Sequence, residues 1–270
     1  MKVSASLVLY NSQPLQFEAC IDSFLQAWPE GKLHVADNSP TPLQSTRFSD
    51  ARVHYTHMAR NLGFGAAHNV CIRQACADSD VHVLLNPDVR FGSDVVAALV
   101  DAFAHRPQLM AAMPQIRYPD GSLQRLCKLL PTPADLLVRR FLPVRSWRER
   151  RNARYELHDL PQDRESHVPT LSGCFVMLRS ADLLAVGGFD ERFFMYMEDV
   201  DLVRRLGMRG ELLYVPAVHI DHEYAKGSYR NRRLLGYHLR SAVLYFNKWG
   251  WLLDPYRKRV NDACLREIAR

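Results

Sequence analysis

The sequence predicts an α/β fold in which a mostly parallel central sheet is flanked by helices. Over residues 1–120, short apolar runs typical of buried strands alternate with amphipathic helical patterns. This alternation implies right-handed crossover connections and therefore parallel strands. A basic, aromatic helical pattern over residues 223–270 predicts a helical extension at the C-terminal end.

The first 90 residues contain four predicted strands and two predicted helices. They are, in chain order, a strand over Val3–Tyr10, a helix over Pro14–Trp28, strands over Leu33–Ala36 and Val53–Thr56, a helix over Ala66–Cys76, and a strand over Val81–Leu85. Polar turn residues follow the second and fourth of these strands, at Asp37 and at Asp88. Ligands of parallel sheets bind beyond the carboxyl ends of the strands, so we expect Tyr10, Asp37 and Asp88 at one edge.

The second half is less regular. A hairpin turn is predicted around Asp120-Gly121. Residues 127–165 combine Pro131, Pro133 and Pro143 with an arginine-rich stretch and predict a mobile excursion or a short helical lid. Regular patterns return as predicted strands over Thr170–Arg179 and Glu211–Val215.

Composition and length limit the class of protein. A chain of 270 residues with 47% apolar residues can form one large domain with a substantial core. The chain lacks a run of about 18 apolar residues, so no spanning helix is expected. The N-terminus lacks the pattern of a signal peptide, and the six cysteines include no CxxC pair. We therefore expect a cytoplasmic protein with reduced thiols and no structural zinc site.

Positive charge is concentrated in the second half. Residues 1–120 hold 9 Lys and Arg against 11 Asp and Glu, so of the totals of 35 and 29 the remainder holds 26 and 18. Nucleic acid or an anionic membrane could bind such a surface, although a basic stretch is more often a solvated face.

An acidic cluster follows an aromatic run in the stretch Gly187–Leu206. Glu198, Asp199 and Asp201 open a helical pattern, where acidic side chains complement the exposed N–H groups of the first turn. The preceding segment contains Phe193, Phe194 and Tyr196. A carboxylate beside apolar rings loses hydration and binds protons more tightly, which suits a general base.

Asn86-Pro87-Asp88 is a candidate metal motif. Residues two apart in an extended segment point the same way, so Asn86 and Asp88 can both face the sheet edge. A carboxylate there suits a divalent ion already held by phosphate oxygens, although an Asn-Pro turn is the simpler interpretation. His219 and His222 follow a later strand and are candidate partners.

Two further segments are candidates for a nucleotide site. Asp37 could accept the N3–H of uracil or thymine while Tyr10 packs on the base, or it could simply form a turn. The segment Asn61–Asn69 (NLGFGAAHN) places glycines at a helix start, which favours a phosphate or a sugar hydroxyl. It matches neither the dinucleotide-binding pattern nor the phosphate-loop lysine motif.

In combination these motifs resemble the family 2 glycosyltransferases of GT-A fold, especially their bacterial rhamnosyltransferase-like branch. The resemblance extends over nearly the whole chain. It rests on LVLYNS, DNS, NLGFGAAHN, LLNPDV, LSGCFVMLR, GGFDERFFMYMEDVDLVRRL and VPAVHIDHEYAKGSY.

The resemblance implies a role for each motif. Asp88 is the direct metal ligand, His222 is the second ligand with His219 as the fallback, and the ion is Mg²⁺ or Mn²⁺. Asp199 is the catalytic base, and Glu198 orients that site or balances its charge. The implied contacts to the nucleotide sugar are Tyr10, Asn11, Asp37, Asn38, Asn61, Gly63, Phe64, Asn69 and Asn86.

The implied activity is inverting transfer of rhamnose or another hexose from a nucleoside-diphosphate sugar. The expected acceptor is a lipid-linked glycan in bacterial surface polysaccharide synthesis. Residues 1–222 would form the catalytic domain, with a nucleotide-sugar half over 1–120 and an acceptor half over 121–222. Residues 223–270 would form a basic tail. The segment 230–259, with Tyr245, Phe246, Trp249 and Trp251, would bind the inner face of the cell membrane, unless these aromatics pack on the domain.

Two other classes of protein remain open. A nucleotidyltransferase would share the sheet and the metal, but residues 7–11 lack its glycine-rich loop with a basic residue. A nucleic-acid-binding module would explain the basic tail. It would leave the acidic edge unexplained, because carboxylates repel phosphates, so we expect no nucleic acid partner.

Overall fold

The computed structural model describes residues 1–138, 145–223 and 232–269. Its strands are β1 (Val3–Leu9), β2 (Lys32–Asp37), β3 (Val53–His57), β4 (Val81–Leu85), β5 (Val89–Phe91), β6 (Leu109–Arg117), β7 (Ser166–His167), β8 (Phe175–Arg179) and β9 (Glu211–His222). Its α-helices are α1 (Pro14–Ala27), α2 (Phe64–Ala75), α3 (Asp94–His105), α4 (Arg145–Tyr155), α5 (Ser180–Ala185), α6 (Glu198–Gly207), α7 (Arg232–Trp249) and α8 (Pro255–Ile268). None of the described helices has both the length and the apolar character of a membrane span.

All of these strands belong to one sheet, in the order β3-β2-β1-β4-β8-β6-β9-β5, with β7 paired to β9. Strands β1 to β4 are parallel, as predicted. The other half is mixed, because β8 runs antiparallel to both β4 and β6, and β5 runs antiparallel to β9. The α/β fold with flanking helices is therefore confirmed, and the mostly parallel arrangement holds for the first four strands.

Strand β1 lies at the centre of the parallel half and is buried along its whole length. Its polar residues are satisfied inside the protein, because Oγ of Ser4 lies 2.7 Å from Nδ1 of His82 and Oγ of Ser6 lies 2.8 Å from Nε2 of the same ring. Buried polar groups need such partners. The serines therefore fit a strand that is otherwise apolar.

The pairing of β6 with β9 determines the position of His222. Its register shifts between Pro114 and Gln115, so that Pro114 pairs with Val215 and Gln115 with His219. A proline without an N–H group fits such an irregularity in a strand. Beyond the shift, β9 continues to His222, which pairs with Val89 of β5.

The C-terminal extension is helical, as predicted, and packs on the rest of the protein. Tyr245 and Phe246 of α7 are fully buried in a cluster that includes Phe193 and Met197. Of the two alternatives for Tyr245, Phe246 and Trp249, packing on the domain is correct and contact with a membrane is wrong. The first two are core residues, and Nε1 of Trp249 donates a 2.8 Å hydrogen bond to Oδ1 of the buried Asp201.

The segment 127–165 contains the predicted short helix as α4. Leu129, Leu130 and Tyr155 are buried, and Nε of Arg151 donates a 2.8 Å hydrogen bond to Oδ1 of Asp135. These contacts anchor both sides of the excursion. Residues 139–144 within it, and residues 224–231, which include Arg230 and the end of the VPAVHIDHEYAKGSY motif, lie outside the described residues.

Candidate active site

A strained turn positions the acidic start of α6. Tyr196 and Met197 precede the helix with φ angles of 68° and 67°, in the left-handed region that non-glycine residues seldom adopt. Oγ of Ser241 in α7 donates a 2.8 Å hydrogen bond to the carbonyl of Met195. Such strain persists only where the surroundings hold it, and it is concentrated at functional sites.

Of the two carboxyl groups after this turn, that of Glu198 is buried and that of Asp199 is partly buried. Asp199 accepts backbone hydrogen bonds from Gly173 (3.1 Å) and Val200 (2.8 Å), whereas Oε2 of Glu198 has no hydrogen-bond partner among the described residues. Burial, together with the charge of Asp199, raises the pKa of Glu198 to about 8. Burial also raises the pKa of Asp199, against the lowering effect of its two hydrogen bonds.

Asp88 and His222 meet across the pairing of β5 with β9. Asp88 precedes Val89, which pairs with His222, and Oδ1 of Asp88 lies 3.4 Å from Nε2 of His222. His222 is buried, whereas His219 is exposed because an odd spacing in a strand points it to the other face. The structure thus brings Asp88 to His222 and not to His219.

Gln124 determines which nitrogen of His222 is protonated. Its Nε2 donates to the carbonyls of His222 (2.6 Å) and Arg117 (3.3 Å), so its Oε1 faces Nδ1 of His222 at 3.0 Å. Nδ1 then donates, so that in the neutral tautomer the lone pair lies on Nε2. Two lone-pair atoms, Nε2 and Oδ1 of Asp88, therefore face each other.

This pair fits one divalent cation. A histidine ligand typically donates its other ring N–H to an oxygen, as His222 does to Gln124. The described residues include no group of three or more His, Cys, Asp or Glu side chains that could enclose a metal ion. Mg²⁺ in nucleotide-dependent enzymes needs only one or two protein ligands besides phosphates and water, so two suffice.

The consecutive residues Gly173 and Cys174 join the metal pair to the acidic helix. The N–H of Gly173 binds Asp199, and the carbonyl of Cys174 accepts a 2.8 Å hydrogen bond from the N–H of Asn86. Burial, with smaller contributions from the charges of Asp88 and Asp199, raises the pKa of the Cys174 thiol to about 12. Both carboxylates therefore flank this one backbone segment.

Asp37 is fully buried at the carboxyl end of β2. It accepts hydrogen bonds from the N–H groups of Ser39 (2.9 Å) and Leu43 (2.8 Å) and from the hydroxyl of Tyr55 (2.6 Å). Burial alone would raise the pKa of Asp37, but these hydrogen bonds hold it below its ordinary value. The carboxylate fixes its own loop, and its predicted contact to a base N–H stays a prediction.

The start of α2 is tied to the aromatic run before α6. Nδ2 of Asn38 lies 3.4 Å from Oδ1 of Asn61 and donates to the carbonyl of Gly63 at 3.2 Å. Gly63 has a φ of 86°, and a Cβ there would collide with the carbonyl oxygen of Phe194. The same oxygen accepts from the N–H of Phe64 at 3.1 Å. The structure thus brings these predicted donor-site residues together.

The side-chain amide of Asn69 is occupied by hydrogen bonds within the protein. It donates to the carbonyl of Phe189 (2.9 Å) and to Glu191 (2.9 Å) and accepts from the N–H of Phe189 (2.8 Å). This placement does not support the predicted contact of Asn69 with a nucleotide sugar. Tyr10 and Asn11 are exposed at the carboxyl end of β1, where the φ of Asn11 is 50°.

Helix α7 forms one wall of the site. The ring of Tyr237 lies 4.8 Å from that of Phe194, and the ring of His238 lies 5.3 Å from that of Tyr196, measured between centroids. The predicted tail thus packs against the aromatic run that leads into Glu198.

The family model of glycosyl transferase family 2 matches residues 4–184, about two thirds of the chain. The chain belongs to this family.

Two curated relatives are rhamnosyltransferases. The chain is 34% identical over 215 residues to the N-acetylglucosaminyl-diphospho-decaprenol L-rhamnosyltransferase of Mycobacterium tuberculosis, covering 73% of this chain and 68% of that protein. It is 28% identical over 210 residues to rhamnosyltransferase WbbL of Escherichia coli K12, covering 74% and 76%. The predicted membership of a rhamnosyltransferase-like branch of family 2 is therefore confirmed.

A solved structure supports the fold. GalNAc-T7 with UDP, GalNAc and Mn²⁺ superposes with a TM-score of 0.60 at 14% identity over 100% of this chain. The chain spans about half the length of that protein, at 51%. The predicted GT-A fold is confirmed at the level of its architecture.

Sequence reasoning missed three residues of this family 2 glycosyltransferase. They are Gln124, Gly173 and Tyr55. Gln124 lies in a loop and belongs to no motif, so no signal pointed to it. Gly173 lies inside the quoted LSGCFVMLR motif, where the glycine itself could have indicated a close backbone approach.

Proposed function

We propose that the chain transfers rhamnose, or a closely similar hexose, from a nucleoside-diphosphate sugar to a lipid-linked glycan acceptor with inversion. The observation that carries the proposal is the joint placement of the Asp88–His222 pair and Asp199 around Gly173 and Cys174. A diphosphate-binding group and a proton acceptor then lie on two sides of one small region. That arrangement suits attack by an acceptor hydroxyl on a sugar whose leaving group is a diphosphate.

Asp88 and His222 would hold a Mg²⁺ or Mn²⁺ ion, and Gln124 would keep His222 in the binding tautomer. The ion, when bound, would offset the negative charge that develops on the departing diphosphate. Support comes from the facing lone pairs at 3.4 Å and from GalNAc-T7, whose structure contains UDP and Mn²⁺.

Asp199 would remove the proton from the acceptor hydroxyl. Its raised pKa increases its affinity for that proton, while backbone hydrogen bonds from Gly173 and Val200 keep the carboxylate in place. Glu198, with a pKa of about 8, would be largely neutral at pH 7, which avoids a second negative charge beside the base. Attack on the face of the sugar opposite the leaving group would invert the anomeric carbon.

The mycobacterial relative's name specifies a lipid diphosphate acceptor, and this motivates the acceptor class proposed here. Residues 1–120 would supply the donor site and residues 121–222 the acceptor site, with α7 as an additional wall. An acceptor of this kind would keep the protein at the cytoplasmic face of the membrane.

The test is a transfer assay with a panel of nucleoside-diphosphate sugars. The acceptor is a short-chain prenyl diphosphate carrying N-acetylglucosamine, with Mg²⁺, Mn²⁺ or EDTA present. We expect a product from a rhamnose donor, inverted at the anomeric carbon by NMR, and no product with EDTA. A retained configuration, or equal turnover with EDTA, would contradict the proposal.

A further inference from the structure

The turn between α7 and α8 exposes an apolar tip. Leu252 and Leu253 are 85% and 90% exposed, and the neighbouring Trp251 is 38% exposed. We call residues 251–253 the apolar prong. No other described large hydrophobic side chain is as exposed as these two leucines. Single exposed apolar residues are ordinary, but adjacent ones at the tip of a turn indicate a contact surface.

The backbone of the prong is held in place from below. Gly250 enters the turn with a φ of 100°. The buried guanidinium of Arg257 donates to the carbonyls of Trp251 (3.4 Å) and Leu252 (3.2 Å). Asp254 then caps α8 by accepting the N–H of Arg257 at 2.9 Å. The exposed leucines therefore project from a fixed turn rather than from a loose loop.

Cations lie beside the prong. A hollow of about 510 Å³ is lined by both leucines together with Arg154 and Lys258. Asp262 lies on the same rim and forms a 2.6 Å ion pair with Lys258. This hydrogen bond, followed by the charges of Lys258, Arg266 and Arg154, holds the pKa of Asp262 below its ordinary value.

The rim of this hollow carries a net positive charge. One carboxylate, Asp262, is surrounded there by Lys258, Arg266 and Arg154. The other two acidic residues of the hollow are engaged by arginines, since Asp135 accepts from Arg151 and Asp254 pairs with Arg204.

The size of the prong argues against a protein partner. Two leucines and an indole edge expose on the order of a few hundred Å², whereas a specific protein interface needs about 1,000 Å². A small apolar tip flanked by cations suits the boundary between acyl chains and anionic headgroups. We propose that the apolar prong inserts into an anionic phospholipid bilayer while Arg154, Lys258 and Arg266 contact its headgroups.

The prong is rigidly connected to the candidate base. Asp254, next to the prong, receives two hydrogen bonds from Arg204 at 2.7 and 2.8 Å. Arg204 belongs to α6, the helix whose second residue is Asp199. Membrane docking would therefore set the position of Asp199 relative to the bilayer. This consequence rests on the proposed function, because a lipid-linked acceptor would be met at that surface.

The test is flotation of the full chain with vesicles of 70% phosphatidylcholine and 30% phosphatidylglycerol, or of phosphatidylcholine alone. The wild type should float with the anionic vesicles at low salt and much less at high salt. The double substitution Leu252→Ser/Leu253→Ser should lower the partition coefficient at least tenfold. The matched control is Leu15→Ser in α1, a leucine that is 76% exposed, which should leave flotation unchanged.

A second pair of substitutions tests the cations. Arg154→Gln/Lys258→Gln should weaken binding by about fivefold per cation and reduce its salt dependence. Thermal unfolding should be unchanged in all variants, because the altered side chains are exposed. Absence of wild-type flotation, or equal flotation of the leucine double variant, would overturn the proposal. A concentration-dependent dimer that the same variant abolishes, without flotation, would instead identify a second copy as the occupant.

These outcomes are separable from the proposed transfer reaction. The leucine double variant should keep wild-type turnover on the short-chain acceptor described above and lose turnover only on acceptor embedded in vesicles. Loss of turnover on both acceptors would contradict a purely docking role for the prong. Absence of any transfer by the wild type would contradict the proposed function and leave the flotation result interpretable.

Discussion

Asp199 and Asp201 both lie in the first turn of α6 and have opposite surroundings. Asp199 accepts hydrogen bonds from the backbone N–H groups of Gly173 and Val200, and Oε2 of Glu198 has no hydrogen-bond partner among the described residues. Two residues further, the fully buried Asp201 receives hydrogen bonds from Arg205 (2.9 Å), Lys248 (2.9 Å) and Trp249 (2.8 Å).

The contrast shows what separates a structural carboxylate from a reactive one. Both groups lie near the same helix terminus and experience a similar helix dipole, so the dipole does not distinguish them. Their hydrogen-bond partners distinguish them. Asp201 is held by side-chain donors, two of them cationic. Asp199 accepts backbone hydrogen bonds, and burial raises its pKa against the opposing effects of those bonds and of the Lys128 charge, which keeps its proton affinity available for chemistry.

The largest effect on stability should come from breaking the buried ion pair between Arg204 of α6 and Asp254. Asp254→Ala leaves the guanidinium of Arg204, which is 2% exposed, without its carboxylate. Removing one partner of a buried ion pair costs about 3–5 kcal/mol of unfolding free energy. Urea unfolding measures this loss.

The matched control is Asp262→Ala, because Asp262 pairs with the exposed Lys258. Surface pairs of this kind contribute about 0–1 kcal/mol. Equal destabilisation by both substitutions would remove the distinction between the two kinds of ion pair.

Gln124→Leu should have an intermediate effect, which we expect on the affinity for the metal ion. Losing the partner that orients a histidine ligand typically lowers metal affinity by about 10–100-fold. Calorimetry of Mn²⁺ binding in the presence of a nucleoside diphosphate measures the change. His222→Ala should abolish this binding, whereas His219→Ala, at an exposed position on the other face of β9, should not alter it.

A further effect concerns Glu198 and depends on pH. The pKa of Glu198 rises from 4.5 to about 8 in the folded protein, so the folded state binds the proton more tightly than the unfolded state. The stability of the wild type should therefore fall as pH rises from 4.5 to about 8. Glu198→Gln removes this dependence, so its melting temperature relative to wild type should increase across that range. A constant difference, like that expected for the exposed Glu30→Gln, would contradict the burial of an uncompensated Glu198.

The parallel half could be predicted because its signals are local. Buried parallel strands appear as short apolar runs, and Val81–Leu85 has the same bounds in the sequence and in β4. Asp88 and His222 were placed by motif order, and their contact depends on a register shift at Pro114 that no local pattern indicates.

The C-terminal helices show the opposite case. The pattern correctly indicated helices with an aromatic face, but a hydrophobic face does not specify its neighbour. Tyr245 and Phe246 pack in one cluster with Phe193, and the sequence alone left this open beside contact with a membrane. The start of α8 was available from sequence, because Asp254-Pro255 is a cap followed by proline at the first helical position.

Asp199 and Asp201 lie on one helix and are assigned different tasks, one catalytic and one structural. The decisive measurement is turnover and unfolding free energy for Asp199→Asn and Asp201→Asn, side by side. We expect Asp199→Asn to lose about 10²–10⁴-fold in turnover while its stability changes by about 1 kcal/mol or less. We expect Asp201→Asn to lose about 2–3 kcal/mol of stability and, where folded, to keep most of its turnover. If Asp199→Asn retains more than half of the wild-type turnover, Asp199 is not the base and the proposed mechanism is wrong.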